Sequence, residues 1–220
     1  MNILVVGANG KVGKHLVKLI QESDGHQAKA MIRDQQQASF FEELGAKTVV
    51  VDLEDDISEI AKAADGVDAI VFTAGSGGHT GADKTILIDL DGAVKTMEAA
   101  KQAGVKRFVL ISSFDTRREK WIGGSFKPYV AAKYYADMWL KSTDLEYTLI
   151  HPGILTDEPG TGNVHAAAET ERAEIPREDV ARVILAVLED DATIHKEFQV
   201  ISGDTAVSEA VASIESMGNR

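Results

Sequence analysis

The chain of 220 residues is 44% hydrophobic and 26% charged, the balance of an ordinary globular protein with enough length to bury a substantial core. Its formal net charge of -12 makes the average surface repel phosphate, which argues against nucleic-acid and anionic-membrane partners. Cysteine is absent, so disulfide and thiolate chemistry are excluded and a reducing compartment is permitted.

The opening Met1-Asn2-Ile3-Leu4-Val5-Val6 has neither the basic start nor the long apolar stretch of a signal peptide. No stretch approaches the roughly 20 apolar residues of a membrane helix. A cytoplasmic protein without a membrane partner is the expectation. Along the chain, short β-branched runs alternate with helical patterns. A strand over 3–6 leads into a helix marked by Val12, Leu16, Leu19 and Ile20, and a second strand covers 28–32. A polar helix then ends at Leu44, with Gly45 as its cap, before a third strand over 48–51. Ile57, Ile60, Ala61 and Ala64 mark the next helix, and 69–73 a fourth strand. A long helix over 82–103 is closed by Gly104. Strands over 108–111, 147–150 and 198–201 alternate with helices over 129–141 and 177–188. Runs apolar on both faces are what a parallel sheet covered by helices requires, so the reading is a doubly wound α/β fold in a single domain. Two segments are irregular, 114–128 and 154–176, and both are candidates to shape a substrate pocket. Within the second, Ala166-Ala167-Ala168-Glu169 has the composition of a short helix, on which His165 and Glu169 would share a face.

Gly7-Ala8-Asn9-Gly10-Lys11-Val12-Gly13 lies between the first strand and the first helix. Glycine permits the tight turn, lets the backbone approach a pyrophosphate and allows close helix–strand packing. The helix N-terminus then offers amides and a favourable dipole to the phosphates. Spaced glycines alone are weak evidence, but a strand before and a helix after is the context a dinucleotide-binding turn needs. Gly7, Asn9, Gly10, Lys11, Val12 and Gly13 are therefore candidate cofactor contacts on a Rossmann fold; the alternative is a glycine-rich turn with no ligand. Strand two ends Met31-Ile32-Arg33-Asp34. An acid there usually holds the ribose hydroxyls of NAD, whereas a guanidinium suits the 2′-phosphate of NADP. Arg33 is the better placed, which favours NADP; the alternative leaves Arg33 solvated and has Asp34 bind the hydroxyl of NAD. Asp52 and Leu53 follow strand three, where an adenine edge would lie, and Asp52 either accepts a hydrogen bond from adenine or caps the next helix. Ala74-Gly75 after strand four offers a smooth surface to the cofactor.

Strand five is followed by Ser112-Ser113, and Tyr129 and Lys133 sit four apart on a helix, where they share a face. A free tyrosine has a pKa of about 10, and a nearby ammonium lowers it toward the range useful for acid–base work. A serine hydroxyl from the adjoining strand end would polarise a carbonyl oxygen. Together these groups suit hydride exchange between a carbonyl and an alcohol. The bland alternative is a half-buried surface pair, yet Tyr134, Tyr135 and Tyr147 have no lysine four residues on.

The ordered set of the glycine turn, Ser113, Tyr129-x-x-x-Lys133 and His151-Pro152-Gly153 resembles the short-chain dehydrogenase/reductase superfamily. It is most similar to the short atypical branch of NAD(P)-binding, epimerase/dehydratase-like proteins. The resemblance spans essentially the whole chain. It implies that Tyr129 is the general acid/base, that Lys133 also holds the nicotinamide ribose, and that Ser113 positions substrate, and Ser112 and Tyr129 are expected to contact the cofactor as well. It further implies that Pro152, Gly153 and Ile154 line the nicotinamide. Two positions depart from the pattern. Asp89 stands where the superfamily often has an asparagine that supports a proton relay, and His151 replaces the arginine of the usual Arg-Pro-Gly. His151 is expected in a packing role. His165 and Glu169 are too few for a metal site, and none is expected.

The leading function is an NADP-dependent oxidoreductase acting on a small carbonyl or alcohol, as a monomer or homodimer. Three other readings use the same features: a cofactor sensor or scaffold without turnover, a sugar-nucleotide-type epimerase or dehydratase, and a flavin or tetrapyrrole reductase. The last does not need the Tyr/Lys pair.

Overall fold

A computed structural model describes residues 1–121 and 124–216. Among them, nine strands form one sheet in the order β11-β8-β10-β6-β5-β4-β1-β2-β3. The parallel part comprises β1 (Asn2–Val6), β2 (Gln27–Ile32), β3 (Lys47–Val50), β4 (Ala69–Phe72), β5 (Arg107–Ile111), β6 (Glu146–Pro152) and β10 (Lys196–Ser202). The chain runs outward from β1 to β3, then restarts at β4 on the other side. That reversal leaves a crevice at the carboxyl ends of β1 and β4, where doubly wound sheets bind their ligands.

The continuous apolar runs are explained by burial on both faces. Ile3 and Val5 of β1 pack under α1 (Lys11–Glu22), while Leu4 and Val6 face the opposite layer. The first layer also holds α2 (Ala38–Glu43), α7 (Arg177–Leu188) and α8 (Val207–Ala212). The second is built on α3 (Ile57–Ala63), α5 (Ala93–Ala103) and α6 (Lys127–Lys141). Gly45 and Gly104 close α2 and α5 with φ of 75° and 73°, the left-handed conformation that glycine adopts without strain.

Three expectations need correction. The helix over 82–103 is not uniform: a short α4 (Ala82–Lys84) leads into a π-helical stretch over Thr85–Gly92 before α5. Such widened turns re-aim side chains and cluster at functional sites. The segment expected to hold a short helix at Ala166 is instead β8 (Asn163–Ala167), paired antiparallel to β10. Val164 and Ala166 are buried and His165 between them is exposed, a two-residue period that places His165 and Glu169 on no common helical face. The sheet edge supplied a partner, and tertiary pairing overrode the helix preference of alanine. Finally, 198–201 is not the last strand, because β11 (Thr205–Ala206) follows and pairs with β8. A separate two-stranded parallel sheet joins β7 (Ile154–Thr156) to β9 (Glu174–Pro176). Of the irregular segment 114–128, residues 122 and 123 lie outside the described residues. No helix among the described residues is long and apolar enough to cross a membrane.

Candidate active site and cofactor cleft

The glycine turn begins where β1 ends. Gly7 has φ of 81°, and a Cβ on it would lie 2.6 Å from the backbone of Ala74. A Cβ on Gly13 would meet the carbonyl oxygens of Gly7 and Ala8 at 2.5 and 2.6 Å. The turn is thus pressed against the end of β4 and against its own helix, a cradle that any side chain would fill. Gly10 caps α1 without a side-chain hydrogen bond, and no acid lies in the first turn. The first amides of a helix have no intrahelical acceptor, so this end of α1 is fitted to an anion.

A cleft of about 370 Å³ opens beside the turn. Of the expected cofactor contacts, Gly7, Asn9, Gly10, Arg33, Asp52, Leu53, Ala74 and Gly75 line it. Arg33 is exposed, and its guanidinium has no ion-pair partner among the described residues. Asp34 is engaged elsewhere, accepting a hydrogen bond from the Gln36 amide at 2.9 Å to cap a short 3₁₀ turn. Asp52 accepts from the Glu54 amide at 3.0 Å, which closes a local turn, while Asp56 stands at the start of α3. Val12 and Gly13 are buried and shape the turn from behind. Lys11 is exposed and ion-paired with Asp157, which also pairs with Arg177. Sequence reasoning missed the opposite wall, where Ser76, Thr80 and Lys84 line the cleft and Lys84 pairs with Glu54. No local motif announces that wall, because it forms only when the segment after β4 meets the turn that follows β3.

The candidate catalytic groups lie at the next strand ends. The Ser112 amide donates to the Ile150 carbonyl at 2.9 Å, so β5–β6 pairing persists to that residue and Ser113 is the first to leave it. Ser112 is buried against the Asp137 carboxyl and does not line the cleft. On α6, Lys133 is 4% exposed; its ammonium donates to the Ile111 carbonyl at 3.1 Å and lies 3.7 Å from Asp89 Oδ1. Asp89 is wholly buried in the π-helical stretch, and its Oδ2 accepts from the Ser76 amide at 3.0 Å. The residue that departs from the family's asparagine therefore ties the wall of the cleft to the lysine.

Tyr129 is half-buried one turn before Lys133, with Ser113 close enough to favour its phenolate. Burial pushes the phenol up; Lys133 and Ser113 pull it down, while Asp89 and Asp137 push it up again. The net direction is upward, opposite to the sequence-based expectation. The lysine acts as expected, but desolvation outweighs it. In the neighbouring segment, Trp121 anchors its loop, donating to the Thr116 carbonyl at 2.7 Å. Phe126 is exposed, with its ring 5.1 Å from that of Tyr129.

Pro152 ends β6, and a Cβ on Gly153 would come within 2.2 Å of the Ala173 carbonyl, so glycine is required where β7 and β9 cross it. Ile154 beyond it is exposed. His151 is 2% exposed, with Nδ1 2.6 Å from the Ser113 carbonyl and Nε2 3.0 Å from Glu197 Oε1.

The chain matches a family model described as NAD(P)H-binding over residues 7–191. It is 47% identical to the uncharacterized sugar epimerase YhfK of Bacillus subtilis, over 97% of this chain and 100% of that protein. A structure from Bacillus halodurans described as an NAD-dependent epimerase/dehydratase superposes with a TM-score of 0.91 at 42% identity, covering 97% of this chain and 99% of the other. The oxidoreductase ylbE of Lactococcus lactis gives 0.89 at 38% identity, covering 97% and 96%.

Proposed function

The chain belongs to the NAD(P)H-binding family, and from that premise we propose that it is an NADP-dependent oxidoreductase interconverting a small carbonyl compound and its alcohol. One observation carries the reading: Ser113 and Lys133, from two separate elements, both act on Tyr129, and Asp89 joins Lys133 to the Ser76 wall of the cleft, although none of the three lines the cleft itself. A bound nicotinamide supplies or accepts the hydride. The glycine turn holds the phosphates, and Arg33, which has no ion-pair partner among the described residues, takes the 2′-phosphate while Asp34 is committed to its own turn. In the direction of reduction, the Ser113 hydroxyl orients the substrate carbonyl and Tyr129 gives its phenolic proton to the carbonyl oxygen. Burial keeps that proton on the phenol at neutral pH, the state a general acid needs. Lys133 then offsets the phenolate left behind.

Paired titrations with NADPH and NADH, on the parent and on Arg33→Ala, test the cofactor. Loss of a charge-assisted hydrogen bond should weaken NADPH about tenfold or more and leave NADH unchanged. Turnover of a panel of small aldehydes and ketones should vanish in Tyr129→Phe with NADPH affinity retained. Equal turnover in that variant overturns the assignment. The name of the 47%-identical relative favours a second reading, an epimerase. The same groups would serve it, and it requires cofactor retained through purification with no net oxidation.

A further inference from the structure

Behind Ser113 lies a buried polar cluster that the proposed chemistry does not use. Tyr129, Lys133, Asp137 and Lys141 recur every four residues on α6, so each neighbours the next along the helix. Asp137 accepts from the Thr116 hydroxyl at 2.7 Å, and Lys141 pairs with Glu197 of β10. His151 of β6 stands between them. Its Nδ1 faces the Ser113 carbonyl, which can only accept a hydrogen bond, and its Nε2 faces the Glu197 carboxylate. Glu197 is ionised at any pH near neutral, since His151 and Lys141 outweigh its burial and hold it at about 2. With an acceptor on each side, both ring nitrogens must donate, and that species is the imidazolium.

Gln199 is the register partner of His151 on β10, and its Nε2 donates to the Phe114 carbonyl at 2.9 Å. Two adjacent side chains thus fix two consecutive carbonyls of the loop that carries Ser113. A loop free of the sheet has no backbone partner to fix it, so these side chains set where the serine hydroxyl points.

We propose that His151, as an imidazolium, is a positioning residue that holds the Ser113 backbone so that its hydroxyl engages the Tyr129 phenol. This rests on the roles given above to Ser113 and Tyr129. The charges facing His151 are Glu197 from β10, Asp137 from α6 and Asp115 from the loop after β5, the last already paired with Arg117 of the same loop, with Lys141 and Lys133 as the cations on α6. The Glu197 carboxylate on Nε2, the Asp137 carboxyl beside the ring and the Ser113 carbonyl keep the ring protonated, although burial alone would discharge it. A neutral ring would leave one of its two acceptors without a donor. Ser113 is then released or Glu197 is left unpaired.

The test uses the whole chain saturated with NADPH and needs no substrate. Nitrogen-15 spectra of histidine-labelled parent protein should show both His151 nitrogens protonated at neutral pH; a neutral ring there overturns the proposal. Carbon-13 spectra of the tyrosine Cζ, assigned through Tyr129→Phe, then follow Tyr129 from neutral to alkaline pH in the parent, His151→Gln and Ser113→Ala. Loss of a hydrogen bond to the phenolate should raise the midpoint by about one pH unit in both variants. Movement in Ser113→Ala with none in His151→Gln overturns the clamp alone and leaves the oxidoreductase reading standing. No movement in Ser113→Ala overturns the clamp and the role of Ser113 together. Loss of NADPH affinity in His151→Gln would mark a general structural lesion and also overturn the assignment. Should His151→Gln fail to fold, the nitrogen spectra of the parent still decide.

Discussion

Substituting Glu197 by glutamine should change how the fold responds to acid, and the size of the change follows from its surroundings. Burial disfavours its charge, yet the hydrogen bond from His151 and the ion pair with Lys141 bring the carboxyl from an ordinary 4.5 to about 2. A carboxyl whose folded value lies below its unfolded one stabilises the fold above the unfolded value. That contribution disappears as the pH falls through the folded value. At roughly 1.4 kcal/mol per pH unit, the full displacement is worth about 3 kcal/mol. The side chain keeps 12% of its surface in solvent, and screening there reduces the expectation to about 2 kcal/mol. Urea denaturation of the parent and Glu197→Gln, followed by circular dichroism at a series of pH values, measures the difference. At neutral pH the variant should be the less stable, because His151 and Lys141 lose their counter-charge in a buried place. Between pH 4.5 and about 2 the gap should close by about 2 kcal/mol, as the parent loses what the variant never had. In Glu197→Gln the ring loses the counter-charge that opposes its burial, so its own titration is followed in the nitrogen-15 spectrum and subtracted from the difference. A gap that stays constant across the window would refute the pairing inferred for Glu197.

Gly13→Ala should destabilise the fold by about 1–3 kcal/mol, because backbone atoms at 2.5–2.7 Å have nowhere to move and overpacking outweighs the helix propensity gained. Thermal unfolding with and without NADPH should show the loss together with the disappearance of ligand stabilisation. Asp89→Asn should lower the Tyr129 midpoint by about one pH unit, since Asp89 opposes the phenolate and an amide oxygen can still accept from the Ser76 amide. Carbon-13 tyrosine spectra check it, and an unchanged or raised midpoint would contradict the coupling.

What the sequence disclosed, and what it concealed, follows from where the information resides. The strands of the parallel sheet and the glycine turn were legible because each is specified locally. β1 is apolar on every residue that both layers bury, and the turn needs glycine at Gly7 and Gly13 for contacts within a few residues or with the adjoining strand. The short strands β7, β8 and β9 were not legible. Each has three to five residues, and β8 is a strand only because the exposed edge of β10 accepts it. The candidate site divides in the same way. Ser113, Tyr129 and Lys133 could be read from spacing, whereas the Lys84–Glu54 wall and the partners of His151 depend on residues far apart in the chain. The direction of the Tyr129 shift was hidden for the same reason: its lysine is a neighbour in sequence, but its burial and Asp89 are not.

α6 makes the point most sharply, because its pattern is inverted. Lys133 and Asp137 are buried on its inner face, while Tyr135, Met138 and Trp139 are each 46% exposed on its outer one. A helix folded for packing alone would turn the other way, since burying unpaired charges costs far more than burying aromatic rings gains. What holds it in this orientation is the set of partners for each buried group: the Ile111 carbonyl and Asp89 for Lys133, Thr116 for Asp137, and Glu197 for Lys141. Alanine and leucine between them, at Ala136 and Leu140, supply the apolar contact to the second layer. Orientation is therefore fixed by hydrogen bonds that only the complete sheet can provide. Such local conflicts with simple patterning are expected where function, rather than stability, selects the residues. The inversion places the Tyr129 and Lys133 side chains toward the strand ends, and it extends past them to Asp137 and Lys141, which the proposed proton transfer does not touch. That surplus is the reason to assign the far end of the line to holding Ser113 in place through His151 and Glu197.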